Sequence, residues 1–290
     1  MKNKRILTAV LAAAAFLAAL GITLYPLIST HYNEKHRSVI QFEHQEKVRQ
    51  ADDSGIRRAR QAAQAYNEAI RPRAVAQDAY SKDALKDAAE GYPQQLNVAG
   101  DDIMGYVEVP QICVNLPIYH GTGDLTLQTG IGHLLGSSLP IGGESTHCVL
   151  TGHSGMANEK FFSDLPQIEP GDVFYLHVLR ETHAYQVDQI RTVLPHETEL
   201  LQIETGRDLC TLVTCVPFGV NTHRLLVRGT RIPYELAEQI AQQRSEPVKK
   251  TSNWEQQYLK GLLIGFAMAA AGGGTAGALW LYRRWRRGKN

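Results

Sequence analysis

Two long uncharged runs, one near each end, constrain this chain more than any other feature. Ile6 to Ile28 carries no Asp, Glu, Lys or Arg over 23 residues, and Gly261 to Tyr282 carries none over 22. At about 1.5 Å of rise per helical residue, either run spans a hydrocarbon layer about 30 Å thick. Lys2, Lys4 and Arg5 precede the first; Arg283, Arg284, Arg286, Arg287 and Lys289 follow the second. Excess Lys and Arg stay on the cytoplasmic side. The pattern therefore predicts two membrane spans, contact with membrane lipid, both termini in the cytoplasm and an extracytoplasmic segment over 29–260. The first run exceeds the about 7–15 apolar residues of a signal peptide and no good A-x-A site follows it, so it reads as an anchor, with a cleaved signal as the alternative. In the second, Gly261/Gly265, Ala269/Gly273 and Gly273/Gly277 sit four apart, a spacing that lets helices approach closely.

The net charge of +1 over 290 residues conceals a partition: positions 31–258 hold 21 basic and 29 acidic residues, about −8. No polycation is present, so nucleic acid is not expected as a partner. Residues 100–235 alone hold 7 basic and 16 acidic residues, a solvated surface whose field is screened beyond about 8–10 Å. A hydrophobic fraction of 43% excludes wholesale disorder. Four cysteines are too few for a disulfide-dense scaffold.

Periodicity divides the external part. Residues 34–51 and 58–70 read as helices, broken near Asp52-Asp53-Ser54-Gly55 and ended by Pro72. A shorter helix over 82–90 has Ser81 as its cap and Gly91 as its stop, with 71–80 as connector. From about Leu96 the apolar period changes from 3.6 to 2. Strands are expected at 103–109, 112–119, 147–151, 173–179, 183–190, 209–215 and 225–229, with one more near 125–128. Seven or eight short strands point to a closed or nearly closed β-barrel. The segments are then 1–28 (cytoplasmic tip and anchor), 29–95 (helical arm), 96–236 (barrel), 237–260 (helical tether), 261–282 (second span) and 283–290 (basic tail).

The seven glycines of 121–143 suggest a phosphate cradle, but Gly130-Ile-Gly132-His-Leu-Leu-Gly136 is one residue too long for GxGxxG and no long helix follows. A mobile loop is the better reading. No CxxC or HxxxH spacing exists, so no metal is expected. Cys210 and Cys215 share a strand at odd separation and point to opposite faces, so they cannot bridge each other; Cys113 and Cys148 pair only if their strands are neighbours. Cys215 ends an apolar strand just before Val216-Pro217-Phe218-Gly219, which exposes it at a rim while the strand holds it from below. A cysteine nucleophile needs a proton partner and a donor for the oxyanion. Arg224 opens the return strand, and His153 stands at a strand end between Gly152 and Ser154-Gly155.

Together Thr211-Leu212-Val213-Thr214-Cys215, Thr151-Gly152-His153 and Arg224 resemble the sortase pattern, over about 135 residues from Ile103 to Ile232. The resemblance implies an eight-stranded barrel and a cysteine transpeptidase with Cys215, His153 and Arg224 as catalytic residues. A span at each end and a helical arm before the barrel make the chain most similar to the class C, pilin-polymerising sortases of Gram-positive cells. That class carries an Asp-Pro-aromatic lid. Here the equivalent is Asp78-Ala79-Tyr80-Ser81, with Asp78 set against Arg224 and Tyr80 over Cys215; the missing proline leaves the lid backbone without a fixed φ. The implied reaction cleaves an LPxTG-like signal between Thr and Gly, holds the acyl group on Cys215, and passes it to a pilin lysine. The implied partners are pilin subunits. A sortase of another class, anchoring surface proteins to the cell wall, is the alternative. The chain is not itself a sorting substrate, because 245–260 lack the pentapeptide such a protein needs.

Overall fold

The computed structural model describes residues 2–71, 78, 80, 91–156, 159–217, 219–244, 258–265 and 267. Contacts divide the chain into Ile28–Lys250 and a second unit of Met1–Leu27 with Thr251–Asn290. The expected helix at 82–90, its Ser81 cap, most of 245–260, most of the second apolar run and the basic tail lie outside the described residues. Among the described residues, no helix is long and apolar enough to cross a membrane. Residues 6–28 are helical within α1 (Lys2–Gln50), with Ile6, Leu11, Phe16 and Ile22 exposed.

The arm is α1 and α2 (Asp53–Ile70), and the break between them is tighter than expected. Asp52 is the N-cap and accepts from the Ser54 N–H at 3.1 Å, which satisfies one of the free donors at a helix start. Helix α2 buries Ala63, Asn67 and Ile70 on one face. Asn67 pairs with the backbone of Leu139, its Nδ2 donating to the carbonyl at 3.3 Å and its Oδ1 accepting from the N–H at 2.7 Å. The arm thus borrows the barrel's core.

Eight strands close the barrel: β1 (Ile103–Val109), β2 (Val114–His120), β3 (Ile131–His133), β4 (Thr146–Thr151), β5 (Val173–Val178), β6 (Glu181–Val193), β7 (Asp208–Val216) and β8 (His223–Ile232), in the order β1-β2-β3-β4-β7-β8-β6-β5. The β2–β3 and β4–β7 pairs are parallel and the rest antiparallel. Closure leaves no free edge. The interior is filled by one face of each strand, including Val107, Ile118, Leu150, Leu176, Leu212 and Val227. Each such side chain contributes about 1.5–3 kcal/mol on burial.

Two expectations are corrected. Residues 125–128 are not a strand but lie in a short helix, α3 (Asp124–Thr129). A strand would place Leu125 and Leu127 on one face; the helix buries Leu127 and leaves Leu125 82% exposed. The eighth strand is instead β3, within the glycine-rich stretch. The condition for pairing Cys113 with Cys148, left open by the sequence, is not met: all four cysteines are free. Cys113 is exposed between β1 and β2, at φ 52°, whereas Cys148 is buried on β4, which does not neighbour β2. The strand over 183–190 is longer than expected, running 181–193 with an irregularity at Asp188. The tether begins as α4 (Tyr234–Gln243).

Candidate active site

Register brings the site together. In the parallel β4–β7 pair Thr151 lies opposite Val213, and the Gly152 N–H continues the ladder by donating to the Val213 carbonyl at 3.0 Å. His153 and Cys215 follow at the same level, each two residues on. In the antiparallel β7–β8 pair Cys215 lies directly opposite Arg224. Two hydroxyls brace the strand ends: Thr214 Oγ1 donates to the Gly152 carbonyl at 2.8 Å, and Ser154 Oγ donates to the Cys215 carbonyl at 2.6 Å.

The glycine before His153 serves close packing rather than a turn. A Cβ at Gly152 would meet Ile131 Cδ1 at 2.5 Å and Phe162 Cδ2 at 2.7 Å. The left-handed turn comes later, at Gly155 with φ 80°.

Asp78 and Tyr80 of the connector sit over these groups. Asp78 takes a two-pronged hydrogen bond from Arg224, at 2.9 Å from Nε and 2.7 Å from Nη2. This fork geometry is the strong form of a guanidinium–carboxylate contact. The Tyr80 hydroxyl donates to the Gly152 carbonyl at 2.6 Å and lies beside the Cys215 side chain. Its ring lies 4.8 Å from the Arg224 guanidinium carbon and 5.7 Å from the His153 ring. One phenol therefore touches thiol, guanidinium and imidazole together, and Cys215 is left only 7% exposed.

This cover sets the electrostatics. Burial pushes the Cys215 thiol above its ordinary pKa, against the pull of the Arg224 cation and the Tyr80 hydroxyl; Asp78 adds to the push. Burial holds the His153 imidazole below its ordinary value, with the Asp124 carboxylate acting in the opposite sense. Burial alone would disfavour the Arg224 cation, but the Asp78 carboxylate outweighs it. Near neutrality the covered site therefore holds a thiol and a neutral imidazole rather than an ion pair. Asp78 occupies the Nε and Nη2 donors of Arg224.

Sequence reasoning singled out Cys215, His153, Arg224, Asp78 and Tyr80, and the structure brings all five into one contact set. It missed Ser154, Thr214 and Asp124. The first two lie beside named residues, but bracing is visible only once β4 and β7 are paired. Asp124 reaches His153 electrostatically from α3, a stretch read as a strand. Among the described residues no group of three or more His, Cys, Asp or Glu side chains could hold a metal ion.

The sortase domain family model matches residues 107–232. The sortase C-1 structure of Streptococcus pneumoniae superimposes with a TM-score of 0.62 at 42% identity, covering 67% of this chain and 98% of that one. The pilus-related sortase C of Group B Streptococcus superimposes with a TM-score of 0.62 at 43% identity, covering 67% of this chain and 98% of that one. A curated relative, sortase A of Bacillus anthracis, is 26% identical over 127 residues, 44% of this chain and 59% of that protein. The chain spans little more than half the length of such curated relatives. With its eight-stranded barrel, its match to the sortase domain model and near-complete coverage of solved sortase C structures at 42–43% identity, this chain belongs to the sortase family.

Proposed function

We propose that the protein is a cysteine transpeptidase that cuts an LPxTG-like sorting signal between Thr and Gly and joins the Thr acyl group to a pilin lysine. The reading rests on one observation above all: Tyr80 touches the Cys215 thiol, the His153 ring and the Arg224 guanidinium at once, so the three reactive groups lie within the span of one side chain.

Once Asp78 and Tyr80 withdraw, water and substrate reach Cys215, and the proton passes from its sulfur to His153. The thiolate attacks the Thr carbonyl carbon. Arg224, released from Asp78, donates to the oxygen on which charge develops. The His153 imidazolium gives its proton to the departing Gly amine, leaving a thioester on Cys215. An incoming lysine amine attacks that thioester; His153 takes its proton, the sulfur departs and an isopeptide bond remains. No step calls on a cofactor.

The pilin as partner is supported by the sortase C likeness, one such structure being described as pilus-related. The charge pattern at the chain's ends supports anchoring by 6–28 and 261–282, with the barrel outside the cell membrane. The test mixes the full chain with a peptide carrying the signal and a lysine-bearing pilin domain, and follows products by mass spectrometry. Expected are release of the Gly-led fragment and a Thr–lysine isopeptide, both absent with Cys215→Ala. Cleavage without transfer to any amine would overturn the reading. Transfer only to a cell-wall amine would assign the chain to wall anchoring.

A further inference from the structure

Two cysteines take no part in this chemistry. Cys148 on β4 and Cys210 on β7 lie directly opposite each other in the parallel pairing. Their side chains are 2% and 0% exposed, both within the barrel interior. Both are free. Paired strands run about 4.8 Å apart, and a disulfide accepts Cα separations of about 4.4–6.8 Å. The strands involved are the two that deliver the site: β4 continues to His153 and β7 to Cys215, each five residues beyond its interior cysteine.

We propose that Cys148 and Cys210 form a redox-active pair that closes to a disulfide inside the barrel, tying β4 to β7 beneath the active site while Cys215 stays a free thiol. The oxidant is a disulfide, carried by a thiol–disulfide oxidoreductase or a small molecule of the same chemistry. Cys148 gives up its proton and attacks one sulfur of that disulfide; the released thiolate takes the proton. Cys210 then attacks the Cys148 sulfur of the mixed disulfide, and its proton goes to the second departing thiolate. One S–S bond breaks in the oxidant, one forms in the barrel, and two hydrogen atoms pass to the oxidant.

Burial disfavours a thiolate at either sulfur, but at Cys148 the neighbouring Cys210 thiol and His133 ring outweigh it. Cys210 is pushed up by burial and by Cys148. Cys148 is therefore the attacking member. Neither remaining cysteine competes by geometry. Cys215 points to the opposite face of β7, and Cys113 is exposed in the β1–β2 connection. Because the pair is interior, exchange takes place as the barrel opens transiently or while it folds.

The test holds the full chain just below its melting temperature with oxidised glutathione, then denatures, alkylates, digests and maps it. Expected is a peptide pair joined through Cys148 and Cys210, lighter by two hydrogen atoms and separated by reductant, with Cys215 still alkylated. The melting temperature of the oxidised chain rises by roughly 5–15 °C over the reduced one, and Cys148→Ala and Cys210→Ala remove that response. Full alkylation of both interior cysteines, or a link from either to Cys113 or Cys215, overturns the proposal. The map of the unsubstituted chain decides the matter even where a variant fails to fold.

Discussion

At the scale of single residues, the account turns on Asp78. Its carboxylate occupies Arg224 through both oxygens and adds to the upward push on the Cys215 thiol. Asp78→Asn keeps the shape, removes the charge and leaves the Arg224 cation uncompensated, so the thiol pKa falls. The pH profile of Cys215 alkylation should have its midpoint above that of an ordinary thiol in the unsubstituted chain and shift downward in Asp78→Asn. At neutral pH, labelling should quicken by about three- to tenfold, a fraction of a pKa unit to one unit. Tyr80→Ala should quicken it by uncovering the sulfur. Unchanged profiles in both variants would remove the lid from the account. These residues were legible because reactive groups recur with fixed neighbours, as in Thr-Leu-Val-Thr-Cys215 and Thr-Gly-His153. The bracing hydroxyls of Ser154 and Thr214 were not, since their partners lie on another strand.

At the scale of elements, the arm is held to the barrel by Arg180, at the tip of the β5–β6 hairpin beside Leu179 with φ 55°. Its Nε donates to the Val48 carbonyl at 3.2 Å, its Nη2 to the Arg49 carbonyl at 3.1 Å and its Nη1 to Asp53 at 2.6 Å. A cation on the last carbonyls of α1 satisfies acceptors that the helix leaves open and complements its dipole. Arg180→Ala should loosen the arm by about 1–3 kcal/mol, read as faster limited proteolysis around Ala51–Gly55 with the barrel intact. Equal proteolysis would place the anchoring elsewhere. Long alternating runs made most strands readable. The exceptions are instructive: β3 has three residues, too few for alternation to register, and it exists because β2 and β4 flank it. Helix α3 was misread because Leu125 and Leu127 alternate like a strand, yet only Leu127 has a core to enter.

At the scale of the whole molecule, folding buries a histidine, His147 on the outer face of β4, that must stay neutral. His147 donates from Nδ1 to the Gln202 carbonyl at 2.7 Å and accepts at Nε2 from Thr211 Oγ1 at 2.7 Å. Burial first, with Arg228 and Arg207 nearby, holds its pKa down to about 4 from an ordinary 6.5; Glu204 and the Gln202 carbonyl act in the opposite sense. The unfolded chain takes up that proton more readily, so this contribution is present above about pH 6.5 and is lost as pH falls toward 4. It is on the order of 3 kcal/mol. The melting temperature should drop across that window, and less so in His147→Gln. A flat profile would show that the ring is not held neutral. The closed barrel was legible from strand number and punctuation, but its strand order was not. The parallel β4–β7 pair joins segments far apart in sequence, and it is what sets His153 level with Cys215. The most direct test of that convergence is intact mass spectrometry of the full-length Asp78→Asn chain mixed with a sorting-signal peptide and no amine acceptor. The account predicts a covalent adduct on Cys215 with the mass of the peptide up to its Thr, released by hydroxylamine; an unmodified chain, or an adduct on any other residue, would contradict it.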